Sequence, residues 1–292
     1  MFAIYLALFA YFVNAVVFLV DKYLLDAPLP RPLAYAFWVA ILSAFALFLI
    51  PFGVIFPDMS YLLVAGLCGM ATFLGLVFLY ESMMIGDVSV AATKVGALSA
   101  MSSYLFSMMI LPSAHRDLNG IAFLFLVFGT LMLARASGRV VFRYALLSGI
   151  CMGLSVVLLK WVFVHGDFVN GVFWSRMGFV GAAMLSLLSP EARSQIFKFV
   201  DRSSHHSQRV FLANKALAAG GFLLLYYAIS LGAVDVINAL IGFQFMFVLI
   251  LALALRTYLP QLEKRITLRA LTNKLIGIVC IIIGFLFTLF MP

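Results

Sequence analysis

The chain has 292 residues, of which 65% are hydrophobic and 10% charged, with a net charge of +8 and a mean hydropathy of +1.16. A soluble domain of this length does not carry so much apolar surface, and a transmembrane β-barrel would show short alternating segments instead of long apolar runs. The basic residues sit in short loops beside apolar spans, where they set orientation and meet anionic lipid, so composition predicts an all-α polytopic membrane protein with membrane lipids as partners and no nucleic-acid partner.

Ten apolar spans are predicted, over roughly 2–21, 33–56, 60–81, 88–111, 119–135, 144–164, 168–189, 211–231, 233–256 and 273–291, each of the length that crosses the hydrocarbon core as a helix. Span 1 starts apolar at Phe2 with no basic stretch before it, so it reads as a retained helix and not a cleaved signal peptide. Most connections are short and carry turn formers: Pro28, Pro30 and Pro32, then Pro57 with Asp58, Gly86 with Asp87, and Pro112 with Ser113. Two predicted loops are longer, Pro190–Val210 with the His205–His206 pair, and Arg256–Asn273. Cys68, Cys151 and Cys280 all fall inside spans without metal-ligand spacing and read as reduced packing residues.

The chain matches itself at a shift of 146 residues, half its length. Gly75–Gly96 lies over Gly221–Gly242 without a gap, with Gly75/Gly221, Leu79/Leu225, Tyr80/Tyr226, Gly86/Gly232, Val88/Val234, Val90/Val236 and Gly96/Gly242 identical. Weaker pairs follow in the same order: Lys22 with Lys160, Phe37–Trp38 with Phe173–Trp174, and Gly129 with Gly284. Five spans per copy is an odd number, so the second copy enters the membrane from the opposite side. The expected organisation is two inverted five-helix repeats, 1–138 and 139–292.

Loops after odd-numbered spans, with their flanks, hold most of the Lys and Arg residues, among them Lys22, Arg31, Arg139, Arg193, Arg209, Lys215, Lys264 and Lys274. The other side holds Arg116 and Lys160. The positive-inside rule then places both termini outside the cytoplasm, in a cell inner (plasma) membrane.

The order of these residues resembles the drug/metabolite transporter superfamily, in its ten-helix EamA-type members. The resemblance covers nearly the whole chain and rests on the five-plus-five repeat, the Tyr80…Gly86…Val90 stretch and its copy Tyr226…Gly232…Val236, Lys22 closing span 1, and Gly129 and Gly284. It implies a carrier whose central cavity is built mainly from helices 1, 3, 4, 6, 8 and 9, with the two halves rocking about it. Helices 5 and 10 would be peripheral and available for homodimer contacts. The chain departs from the family pattern twice: Pro51–Tyr61 carries no Lys or Arg, and the stretch after Gly96 has no proline. The first departure reads as insertion opposite to the usual family topology.

An ionisable group at the centre of a membrane helix costs at least about 2.5–3.5 kcal/mol, so it needs a partner or a cavity. Lys94 lies about two turns into span 4 and could either snorkel or bind substrate. Arg176 lies near the middle of span 7, too deep to snorkel easily; it is either paired inside the bundle or faces a cavity, where a guanidinium can hold a carboxylate or phosphate in a bidentate way. Glu81 and Asp87 could be counter-ions for Lys94 or Lys22, with Asp87 also suited to cap the next helix. Asp235, Asn238 and Gly242 share one face of span 9 and could pack helices or line a cavity. Tyr80 and Tyr226 occupy equivalent places, in the pathway or in an interfacial aromatic belt. Trp38 and Trp174 read as packing, and His165, Asp167 and the His205–His206 pair as surface.

The chain carries no phosphate-cradling glycine loop with lysine, no His-Glu-x-x-His and no Gly-x-Ser-x-Gly, so it reads as a non-enzyme with no cofactor and no metal site. The leading expectation is a secondary carrier for a small organic solute. Lys22, Lys94, Lys160, Arg176 and Lys215 outnumber Glu81, Asp87 and Asp235 in or beside the spans, which favours an anionic or zwitterionic, amino-acid-like metabolite. The alternatives are a lipid or polyprenyl-phosphate translocase of the same superfamily, and a small-multidrug-type cation exporter that would need an unpaired carboxylate such as Glu81. A membrane-embedded enzyme or a scaffold is the reading from another class.

Overall fold

The computed structural model describes residues 2–26, 31–86, 88–111, 121, 124–125, 128–129, 132, 139–202, 205–232, 234–255 and 268–290. Among them every regular element is a helix, with no strand. The helices are α1 (Phe2–Asp26), α2 (Pro32–Leu42) continued by a 3-10 helix (Ser43–Phe52), α3 (Met59–Ile85), α4 (Val88–Ile110), α5 (Arg139–His165), α6 (Phe168–Ser186), α7 (Pro190–Arg202), α8 (His205–Leu231), α9 (Val234–Ala239), α10 (Ile241–Ala254) and α11 (Leu268–Phe290). Six of the described helical stretches are long and apolar enough to cross a membrane: Phe2–Leu25, Pro32–Phe52, Met59–Ile85, Val141–His165, His205–Leu231 and Val236–Ala254. The chain is therefore an all-α polytopic membrane protein. Predicted span 5 lies largely outside the described residues, as do Asp87 and the loop after Leu255.

Several predicted boundaries move, each for a local reason. Pro32 sits at the first helical position of α2, where its fixed φ suits the turn and its missing N–H costs nothing. The span then tightens to a 3-10 helix that contains Pro51 and ends at Gly53, whose φ of 95° is open to glycine alone at low cost. The segment expected as a charged loop after Pro190 is instead the amphipathic helix α7. Ala192 and Ile196, one turn apart, are buried, while Glu191, Arg193 and Phe197 are exposed. It bends by 105° from α6, with Arg193 donating back to the Leu187 carbonyl at the end of α6. The His205–His206 pair, also expected in that loop, forms the exposed first turn of α8. Span 9 divides at Leu240 into α9 and α10.

Close crossings rest on glycine, as expected where lipid gives no hydrophobic drive and helices bind by backbone approach. Gly149 and Gly153 of α5 lie one turn apart against α4; a Cβ at Gly153 would stand 2.6 Å from Ser102 Cβ and 2.7 Å from the Ser99 carbonyl oxygen. Gly69 of α3 and Gly178 of α6 meet even more tightly, a Cβ at Gly69 falling 2.1 Å from the Phe179 nitrogen. These contacts press the serine-rich α4, buried at almost every position from Val88 to Ala100, into the middle of the bundle. Gly153→Leu is expected to separate α4 from α5 and cost well over the roughly 1–3 kcal/mol of ordinary overpacking, read as loss of the monodisperse peak in size-exclusion chromatography.

Candidate functional site

Two charged centres sit inside the bundle. The first is a buried ion pair. Asp21, near the end of α1, accepts from Lys215 Nζ at 2.6 Å, from Asn214 Nδ2 at 2.6 Å, from the Tyr35 hydroxyl at 2.6 Å and from the Tyr80 hydroxyl at 3.2 Å. Four helices, α1, α2, α3 and α8, therefore supply one carboxylate and its donors. Asp21 is 1% exposed and Lys215 7%. The Lys215 ammonium also stands over the rings of Tyr35 (4.9 Å), Phe211 (5.7 Å) and Tyr80 (5.8 Å), and the rings pack edge-on to one another. A buried pair is tolerable only when its remaining lone pairs and protons find partners, and here the donors saturate the carboxylate.

The second centre is Arg176 on α6. Its guanidinium stands 4.7 Å from the centre of the Tyr226 ring, 5.3 Å from Phe222 and 6.0 Å from Phe179, with a long contact of 3.5 Å to Ser43 Oγ. Arg176 is only partly buried and has no carboxylate partner among the described residues. Aromatic faces stabilise a guanidinium through their quadrupoles without consuming its fork of donors. Beyond those directed at Ser43 Oγ and the Tyr226 hydroxyl, the remaining N–H groups of Arg176 could meet an anion. Cys68 lies close by on α3, donating to the Ser155 carbonyl, and Thr72 pairs with Ser155 across α3 and α5.

The two centres share one helix face. Lys215, Ala218, Phe222 and Tyr226 recur along α8 at steps of three and four residues, which places them in one stripe. Seven residues separate Lys215 from Phe222, about 10 Å of rise.

The other expected site residues divide. Tyr80 joins the ion pair and Tyr226 joins Arg176, and both tyrosines are buried inside the bundle. Lys22 is fully buried and donates to the carbonyls of Met83 (2.5 Å) and Gly86 (3.1 Å) at the end of α3. Its described carbonyl contacts close a helix terminus. Lys160 does the same at the end of α8, donating to Ile229 (3.0 Å), Ser230 (3.3 Å) and Gly232 (2.8 Å). Lys22→Met and Lys160→Met are each expected to cost about 1.5–3 kcal/mol, because charged donors leave orphaned carbonyls behind; the thermal midpoint of the purified variants measures it.

Lys94 is fully buried between α4 and α5, 6.0 Å over the Phe142 ring, so it does not snorkel to a surface. Asn238 is buried and donates to the Ser99 carbonyl (3.3 Å) and Ser103 Oγ (2.7 Å), tying α9 to α4. Glu81 is half-buried and makes no ion pair with the described residues. The side chain of Asp235 lies outside the described residues. Asp167, expected at the surface, caps α6 by accepting from the Asn170 backbone and side chain, and Asn170 and Trp174 in turn pin the Ile55 backbone.

Asp21 and Asn214 were not singled out by the sequence. Asp21 stands beside Lys22 near a span end and reads as an interfacial charge. The usable signal is its spacing from Asn14, seven residues back on the same face of α1.

No family model matches the chain, and no curated protein matches it. Solved structures do. One of them, a crystal structure of a protein, aligns over 98% of this chain and 99% of that chain, with a TM-score of 0.60 and 14% identity. That likeness concerns the fold, which spans both chains end to end.

Proposed function

We propose that the chain is a secondary transporter that moves a small anionic or zwitterionic organic solute across the inner membrane by alternating access. The observation that carries this reading is Arg176, a half-buried guanidinium cupped by Tyr226, Phe222 and Phe179 with no carboxylate among the described residues to neutralise it. A cation kept in the bundle with open donors suits a ligand that brings a carboxylate. The saturated Asp21–Lys215 pair lies along the same stripe of α8 and supplies a second polar station.

The reading includes two inverted five-helix repeats of the ten-helix EamA type, related by the 146-residue shift. Contacts support it: the shift lays Met83 on Ile229 and Gly86 on Gly232, the carbonyls held by Lys22 and Lys160 respectively. Tyr80 and Tyr226, also paired by the shift, each face a cation, Lys215 and Arg176. Basic residues at the end of α1 and around α7 favour that side as cytoplasmic, which leaves both termini outside.

A thermal-shift screen of the purified protein tests the reading. Millimolar carboxylate-bearing metabolites are expected to raise the melting temperature of the wild type, since a ligand bound only by the folded state stabilises it. Neutral and cationic solutes are expected to leave it unchanged. Stabilisation by cations alone would favour the cation-exporter reading and remove Arg176 from the site.

A further inference from the structure

We infer that the corner between α6 and α7 is a binding site for one anionic phospholipid, with Arg193 holding the phosphate and the outer face of α6 holding an acyl chain. The inference is independent of the transporter reading and of Arg176.

The corner is set by local sequence. After Ser186 the chain leaves α6 through tight turns, with the Leu187, Leu188 and Ser189 N–H groups each donating three residues back. Ser189 Oγ then accepts from the Ala192 N–H (3.4 Å), and Pro190 takes the first helical position, so α7 starts at once, bent by 105° from α6. An amphipathic helix that crosses the end of a span at this angle lies along the bilayer surface. Ala192 and Ile196 are buried, α7 packs on α2, and Arg31 at the start of α2 donates to the Gln195 carbonyl (3.1 Å). The helix is thus fixed to the bundle on one side and open on the other.

The open side joins a charge to a strip of apolar surface. Arg193 Nε and Nη2 donate to the Leu187 carbonyl at 3.3 and 3.1 Å, an acceptor that α6 would have used had it continued. Those bonds hold the guanidinium plane by its side and leave the end-on edge, Nη1 with the second Nη2 N–H, for two oxygens of a phosphate. Arg193 is exposed and has no ion pair among the described residues. Glu191, two positions back, points about 200° round the helix. Phe197, one turn on from Arg193, is exposed.

The strip itself runs up α6. Gly181, Met184, Leu185 and Leu188 recur at steps of three and four residues, and all four are exposed, Leu188 by 75%. A Cβ at Gly181 would meet nothing within 4 Å, so the strip carries a notch about 10 Å above the corner. Apolar side chains this open suit acyl chains, and a held guanidinium at their end suits the phosphate that caps them. Arg143 and Arg209, exposed near the starts of α5 and α8, lie on the same side of the bundle. That basic side complements the anionic lipids of a cytoplasmic leaflet.

Native mass spectrometry of the purified protein in maltoside micelles, titrated with phosphatidylglycerol or phosphatidylcholine of identical chains, tests the site. The wild type is expected to bind one phosphatidylglycerol about fivefold more tightly than phosphatidylcholine. Arg193→Gln is expected to remove the preference. Gly181→Phe fills open space, leaves Arg193 in place, and is expected to weaken both lipids by about threefold. Millimolar inorganic phosphate is expected to displace neither. Equal affinity of the wild type for the two lipids overturns the site, whether or not Arg193→Gln folds. So does a preference that survives in Arg193→Gln, or unchanged binding in Gly181→Phe. Displacement by phosphate would make the corner a site for a free anion, and a lipid-free dimer lost in Gly181→Phe would assign the strip to a second copy; either result overturns the lipid assignment.

Discussion

Lys215→Ala is expected to destabilise the bundle by about 3–5 kcal/mol, because it strands the buried Asp21 carboxylate without its cation. The cost is that of an uncompensated charge and not the worth of the pair. Asp21 is 1% exposed, so no water is at hand to take the place of the ammonium. Asp21→Asn combined with Lys215→Met is expected to recover most of the loss, since both charges then leave together and the new side chains fill similar space. Equilibrium unfolding in mixed micelles, run as a double-mutant cycle, measures this. A single variant as stable as the wild type would mean that the pair is solvated in the membrane.

Arg176→Ala is expected to weaken binding of a carboxylate-bearing solute by on the order of 100-fold, the loss that follows when one member of a desolvated charged pair is removed. Arg176→Lys keeps the charge but not the planar fork, and is expected to fall between the two. Tyr226→Phe retains the ring face 4.7 Å from the guanidinium and is expected to bind nearly as the wild type does, whereas Tyr226→Leu loses about 0.5–2 kcal/mol of cation–π attraction. Folded yield is expected to stay normal in all four. Titration calorimetry with a solute found by thermal shift reads the series. Equal affinity in Arg176→Ala and the wild type would place the solute elsewhere.

The class of fold was legible because its signal is repeated many times over: apolar runs of about 20 residues need no tertiary information. Arg176 was legible for the same reason that it is unusual, a guanidinium deep in an apolar run. The ion pair was not. Asp21 sits next to Lys22, and adjacent residues on a helix point about 100° apart, so the two neighbours serve different ends. Lys22 closes α3, and Asp21 meets α8, 193 residues away in sequence at Asn214. Lys215 looked like a flanking charge because span 8 was expected to begin near 211. The helix begins at His205, which carries Lys215 into the bundle. The helix α7 hid behind its charges, its buried face among the described side chains being Ala192 and Ile196.

The most direct test of the central claim is counterflow in proteoliposomes. Vesicles holding the purified protein are loaded with one carboxylate-bearing metabolite at a time and diluted into its labelled form. The account predicts labelled solute accumulating inside for at least one such metabolite, and background signal for Arg176→Ala at equal protein content. No counterflow of any carboxylate-bearing solute, or wild-type counterflow in Arg176→Ala, would contradict it.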